Sequence, residues 1–302
     1  MPAGPFVIDA HHHLWQYSAI EYEWIDDRMA ALRRDFLPAE FIDELANTGI
    51  DGAVTVQARQ TLEETHWLLK LASKHKEILG VVGWAPIASP DFQISLDTLA
   101  ADPKLVGLRH VVQAEPAGFL DDAAFNRGIR TLHGTGLVYD LLIAEHQLGE
   151  AIRFVDRHPQ RIFVLDHIAK PKIAAGEIEP WRTRIRELSK RSNVCCKVSG
   201  MVTEDSWSGW SIESLRPYLD TVVSSFGPDR LIAGSDWPVC LVASGYAQWW
   251  QVLRNYFADF SDDERADIFG ATATRIYNLK IGDQDEGRSR TGTGQSDSDR
   301  HP

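Results

Sequence analysis

Three consecutive histidines, His11, His12 and His13, follow a short apolar run near the start of the chain. In an extended strand, residues two apart project to the same face. His11 and His13 therefore act together, and His12 points the other way. Two neutral imidazoles side by side are half of a metal site, and imidazole is a common ligand for zinc and related ions. Two partners stand at similar positions later in the chain. His167 closes the run Arg161–His167, and Asp236 lies in Gly-Ser-Asp-Trp-Pro after the run that opens at Arg230. Three nitrogens and one carboxylate could hold a single Zn²⁺ and leave a position for water or substrate. The same four groups could also work without a metal, as donors to an oxyanion and as a general base.

Such residues need a fold that gathers strand ends. Eight short runs rich in β-branched residues recur along the chain: Phe6–Ala10, Gly52–Ala58, Leu79–Trp84, Leu105–His110, Leu137–Ile143, Arg161–His167, Asn193–Gly200 and Arg230–Pro238. They are continuously apolar, as strands buried on both faces are. Amphipathic segments such as Glu63–Lys76, Leu148–His158 and Trp181–Arg191 lie between them. Alternating strands and helices predict an α/β protein with a parallel sheet, and eight units in this length predict a closed (β/α)8 TIM barrel. An open doubly wound sheet is disfavoured, because no GxGxxG loop follows the first strand. Residues 1–281 are expected to form one barrel domain. Residues 282–302 contain no aliphatic or aromatic side chain and are expected to be a disordered polar tail, which removes His301 as a ligand candidate.

In such barrels chemistry lies at the C-terminal strand ends. Those ends carry Arg59 on the second strand, Trp84 on the third, Arg109 and His110 on the fourth, and Tyr139 and Asp140 on the fifth. His110 rather than Arg109 is expected to face the mouth. His110, Arg59, Trp84, Trp24 and Tyr139 are the candidate substrate-binding residues. Trp24, Trp84, Trp207 and Trp237 lie where an indole face could stack on a sugar-like ring. Lys197, inside an apolar run, reads as a structural ion pair with Asp166 or Asp9. The long segment Leu14–Pro38 is expected to form a wall or lid of the site.

The whole-chain balance narrows the function classes. The chain has 302 residues, 43 Asp and Glu against 31 Lys and Arg, and a net charge of -12. That sign argues against general affinity for nucleic acid or anionic membrane. No apolar run approaches the ~20 residues that span a bilayer. The first residues show no basic segment followed by a long apolar stretch, so no secretory signal is expected. Three cysteines, two of them adjacent, suit a reducing cytoplasm better than a disulfide scaffold. Homo-oligomerisation is left open, since outer helix faces cannot be sorted into interface and solvent.

These residues carry a family resemblance. DAHHHLW at the start, LDHIAKP on the sixth run, KVSG on the seventh and GSDWPV on the eighth resemble the amidohydrolase superfamily. With YEWI, RDFLP, VQARQTLEET, GLRHVVQ and FGATATRIY, the chain is similar to the sugar-lactone hydrolase branch, the L-fuconolactonase and L-rhamnonolactonase-like proteins. The resemblance runs from about residue 6 to 278. It implies hydrolysis of an aldonolactone to the sugar acid. Catalysis would fall to Asp236, His11, His13 and His167, with Asp236 as general base. The same four would be the ligands of one divalent metal, metal-free catalysis staying open. Arg109 and His110 stand where a carboxylated lysine would bridge two metals, so a binuclear site is not expected. A metal-dependent decarboxylase of the same superfamily is the alternative, though it would be expected to bring more arginine to the mouth. A non-catalytic sugar-acid-binding barrel is the third reading.

Overall fold

The structure is a computed structural model that describes residues 5–281. The polar tail expected from 282 onward lies outside the described residues. Eight strands form one parallel sheet in sequential order: β1 (Ile8–His12), β2 (Gly52–Val56), β3 (Ile78–Gly83), β4 (Leu105–Val111), β5 (Val138–Leu142), β6 (Phe163–Leu165), β7 (Val194–Val198) and β8 (Leu231–Ala233). The barrel closes where His12 bridges Trp237, and where the backbone N–H of Asp236 donates to His11 O at 2.8 Å. Each predicted apolar run overlaps one strand, with one or both ends differing by a residue or more.

Helices cover the outside: α1 (Pro38–Thr48), α2 (Leu62–Ala72), α3 (Phe92–Ala100), α4 (Ala123–Thr131), α5 (Leu148–Arg157), α6 (Trp181–Leu188), α7 (Ile212–Phe226) and α8 (Tyr246–Tyr256). Their ends follow local chemistry. The Thr61 hydroxyl accepts from Glu64 N and starts α2, Asp122 does the same for α4 through Phe125 N at 2.7 Å, and Gly49 stops α1 with φ +67°. The main apolar core lies between helices and barrel. A smaller cluster fills the barrel's lower interior with Val54, Val82, Val138, Val164 and Ile232, plugged by Tyr277 just past the short helix Thr272–Ile276.

Above that plug the interior turns polar. Lys197 is fully buried, and its Nζ contacts Asp140, Asp166 at 3.1 Å and His11 Nδ1 at 3.2 Å. The structural ion pair expected of Lys197 thus includes Asp166 but not Asp9. Asp9 faces outward instead, accepting from Tyr246 Oη at 3.0 Å and Ser235 N at 2.9 Å.

Candidate active site

β1 does not alternate evenly along its length. Asp9 pairs with Ala53 and His12 with Thr55, so three steps on β1 match two on β2. This bulge re-aims the chain. Asp9 faces out, Ala10 packs into the barrel interior, and His11 also reaches the interior. His12 then turns outward, stacks on Phe41 of α1 at 3.7 Å and contacts Thr55 Oγ1 at 2.9 Å. His11 and His13 meet with their Nε2 atoms 3.2 Å apart.

His167 and Asp236 reach the same point through unusual backbone. His167 has φ +50° and Asp236 φ +59°. Left-handed backbone is costly for such residues and persists only where the surroundings fix it. Gly200 supplies part of that fit on β7's loop. With φ +61°, a Cβ there would lie 2.5 Å from His167 Nδ1 and 3.2 Å from an Asp236 carboxylate oxygen. The glycine of KVSG is therefore required by close approach to the site.

The three imidazoles share one arrangement. His13 Nδ1 meets Val56 O at 2.8 Å, and His167 Nδ1 meets Ser199 Oγ at 2.9 Å. His11 Nδ1 lies between Asp166 at 3.4 Å and Lys197. Each Nε2 is left to face Asp236 Oδ1, at 3.7 Å from His11, 3.3 Å from His13 and 3.8 Å from His167. Burial lowers the pKa of His11 well below its ordinary value and that of His167 to about 4, so both imidazoles are neutral near pH 7. Burial alone would raise Asp236. His167, His13 and His11 outweigh it and hold the carboxyl below the usual carboxylate range.

Neutral imidazoles with anchored Nδ1 atoms and an ionised carboxylate are the donors a zinc-type ion takes. Donor atoms of His11, His167 and Asp236 all lie within 4.8 Å of one another. The residues therefore fit one divalent metal. The same set can hold a water and deprotonate it through Asp236.

A pocket of about 680 Å³ opens above this cluster. His13, His167 and Asp236 form its floor, together with Arg109. Arg59 and Trp24 line it, and the long segment after β1 contributes Glu21 as well as Trp24 to the wall. The other three candidate substrate contacts lie elsewhere. His110 faces the helix layer, stacked on Phe119 at 4.8 Å with its Nε2 2.8 Å from Glu115. Trp84 is tied to the same place, donating from Nε1 to His110 Nδ1 at 3.3 Å. Tyr139 is fully buried among Phe125, Phe154 and Phe163. The reason is alternation. Arg109 and Asp140 take the inward face of β4 and β5, so their neighbours His110 and Tyr139 must take the outward one. Trp237 is also fully buried, against Phe36 and Phe41.

Arg109 was the inward residue of its pair. Its NH1 donates to Asp166 at 3.0 Å and lies 3.3 Å from His11 Nε2, and its NH2 donates to Gln57 O. Lys170, Glu204, Trp207 and Gln113 also line the pocket. All four lie in loops past the strand ends, where a period of two no longer tells direction. Only Trp207 carried a signal, as an aromatic residue in a long post-strand loop.

Comparison with known proteins agrees with this geometry. A family model described as Amidohydrolase matches residues 8–279. An L-fucono-1,5-lactonase of Burkholderia multivorans is 38% identical over 288 residues, which is 91% of this chain and 97% of that protein. An L-fucono-1,5-lactonase of Burkholderia ambifaria is 35% identical over 281 residues, 91% of this chain and 96% of that one. A crystal structure of an amidohydrolase from Burkholderia multivorans with bound zinc has a TM-score of 0.85 at 38% identity, covering 91% of this chain and 100% of that chain. The barrel, the strand-end cluster and these matches together show that the chain belongs to the amidohydrolase family.

Proposed function

We propose that the protein is a hydrolase that opens a sugar-derived lactone, an aldonolactone such as L-fuconolactone, to the free sugar acid. One observation carries the reading: three imidazole Nε2 atoms converge on one ionised carboxylate oxygen at the floor of a pocket. Asp236 takes a proton from water, and the resulting hydroxide adds to the lactone carbonyl carbon. The ring C–O bond then breaks, and the proton leaves with the ring oxygen as the new hydroxyl. His11, His13 and His167 hold the water at their Nε2 atoms. A divalent metal held by His11, His13, His167 and Asp236 would supply Lewis acidity and a more acidic water. The zinc in the Burkholderia multivorans structure and the L-fucono-1,5-lactonase relatives support both parts of the reading.

Decarboxylation is the weaker alternative. Both arginines counted toward it reach the pocket, but Arg59 is paired with Glu21 at 3.0 Å and Arg109 with Asp166 at 3.0 Å. Each guanidinium thus already has a carboxylate partner of its own. The reducing, cytoplasmic setting fits three buried thiols without a disulfide, and no helix among the described residues is long and apolar enough to cross a membrane. The test is acid release from L-fucono-, L-rhamnono-, D-galactono- and L-galactonolactone, with carbon dioxide release from aromatic acids measured alongside. Acid from at least one lactone and no carbon dioxide is the expected result. The reverse pattern would establish the decarboxylase.

A further inference from the structure

Charges in the pocket wall are paired before any ligand arrives. Arg59 is held by Glu21, Arg109 by Asp166, and Lys170 by Glu204 at 3.4 Å. A ligand with its own carboxylate would bring a further negative charge beside Glu21, Asp166 and Glu204, whose cations are already shared. The wall suits an uncharged ligand.

The three carboxylates are not equivalent. Asp166 is buried behind Arg109, and Glu21 sits at the rim with its side chain 43% exposed. Glu204 lines the pocket itself, on the turn that follows β7, and its one charged partner among the described residues is Lys170. A carboxylate offers about four acceptor sites, so Glu204 keeps acceptors free for the pocket. Trp207 lines the pocket from the same loop. Its Nε1 donates to Thr203 O at 3.0 Å, and Arg28 lies over its ring at 5.6 Å. An indole face and a carboxylate fixed to one loop match the two sides of a polyhydroxylated ring: C–H bonds on the indole, hydroxyls on the carboxylate.

We propose that Glu204, with Lys170 beside it, is a specificity-determining residue that binds ring hydroxyls of an uncharged sugar lactone, and that the pair turns away lactones bearing a free carboxylate. This rests on the lactonase reading above and adds the ligand's charge and the residue that reads its hydroxyls.

The test uses the full chain and acid release from three lactones. L-Fuconolactone has hydroxyls and no charge, δ-valerolactone has no hydroxyls, and D-glucaro-1,4-lactone has a free carboxylate. Glu204→Gln should cut the kcat/KM preference for L-fuconolactone over δ-valerolactone by about 10- to 100-fold, carried mainly by KM. The preference for D-glucaro-1,4-lactone over L-fuconolactone should rise in Glu204→Gln, which leaves Lys170 unpaired. It should fall in Lys170→Gln, which leaves Glu204 unpaired. A purely structural role would not give opposite signs. Preferences within about threefold of wild type in both variants would overturn the proposal. Should Glu204→Gln not fold, Lys170→Gln decides alone: a fall supports the proposal and no change overturns it. A wild type that opens no lactone removes the lactonase reading and this inference with it, whereas active wild type with unmoved preferences removes this inference only.

Discussion

Lys197→Met should strongly destabilise the barrel interior. Lys197, Asp140 and Asp166 are all fully buried. Without the ammonium, Asp166 keeps Arg109 at 3.0 Å. Asp140 keeps only the Tyr277 hydroxyl, at 2.8 and 2.9 Å from its two oxygens, and loses its cation. Removing one partner of a buried pair costs about 3–5 kcal/mol. At about 2–4 °C per kcal/mol for a chain of this size, Tm should fall by roughly 6–20 °C. Burial already raises the Asp140 pKa to about 6 against the pull of Lys197, and the variant raises it further. A carboxyl raised in the folded state adds stability below its unfolded pKa and loses it as pH rises through the folded value. The deficit relative to wild type should therefore be larger at about pH 8 than at about pH 5. Urea melts at both pH values measure it. Adding Asp140→Asn removes the stranded charge and should recover at least about half of the loss. A Lys197→Met protein within about 1 kcal/mol of wild type would refute the reasoning.

Three further outcomes follow from the site. Ser199→Ala removes the partner of His167 Nδ1 at 2.9 Å, and should lower kcat/KM by about 10- to 100-fold and stability by about 1–3 kcal/mol. Gly200→Ala forces a Cβ to within 2.5 Å of that nitrogen at φ +61°. It should lose more activity than Ser199→Ala and about 1–3 kcal/mol of stability in a denaturant melt. The acid limb of kcat/KM should lie near the lowered His167 value of about 4, because His11 is also lowered and Asp236 stays ionised. A limb centred near the ordinary imidazole value of about 6.5 would contradict the assignment of neutral, buried imidazoles.

The barrel was legible because its signal is local and repeated. Most strands are short runs rich in Val, Ile and Leu, and each predicted run overlaps a strand. The convergence of His11, His13, His167 and Asp236 was legible because a period of two holds between His11 and His13, and because strand ends converge in a closed barrel. Side-chain direction was harder one residue away. His110 and Tyr139 sit beside Arg109 and Asp140, and composition does not say which of two polar neighbours turns inward. Bulges add to the difficulty. The extra step on β1 brings both Ala10 and His11 to the interior, which strict alternation forbids. The pocket wall was the least legible part. Lys170 and Glu204 lie on the loops after two different strands, and those loops alone bring them together to 3.4 Å.

Acid release from L-fuconolactone by wild type and by Asp236→Asn, each with and without prior chelation, tests the central claim most directly. Asparagine keeps the shape of the side chain and cannot take the proton. The account predicts wild-type turnover and a kcat lower by at least about 100-fold in Asp236→Asn, with Tm nearly unchanged. Loss of wild-type activity on chelation would assign the chemistry to a metal-assisted route, and retention to a metal-free one, with Asp236 as base in both. An Asp236→Asn protein with near-wild-type kcat would contradict the account.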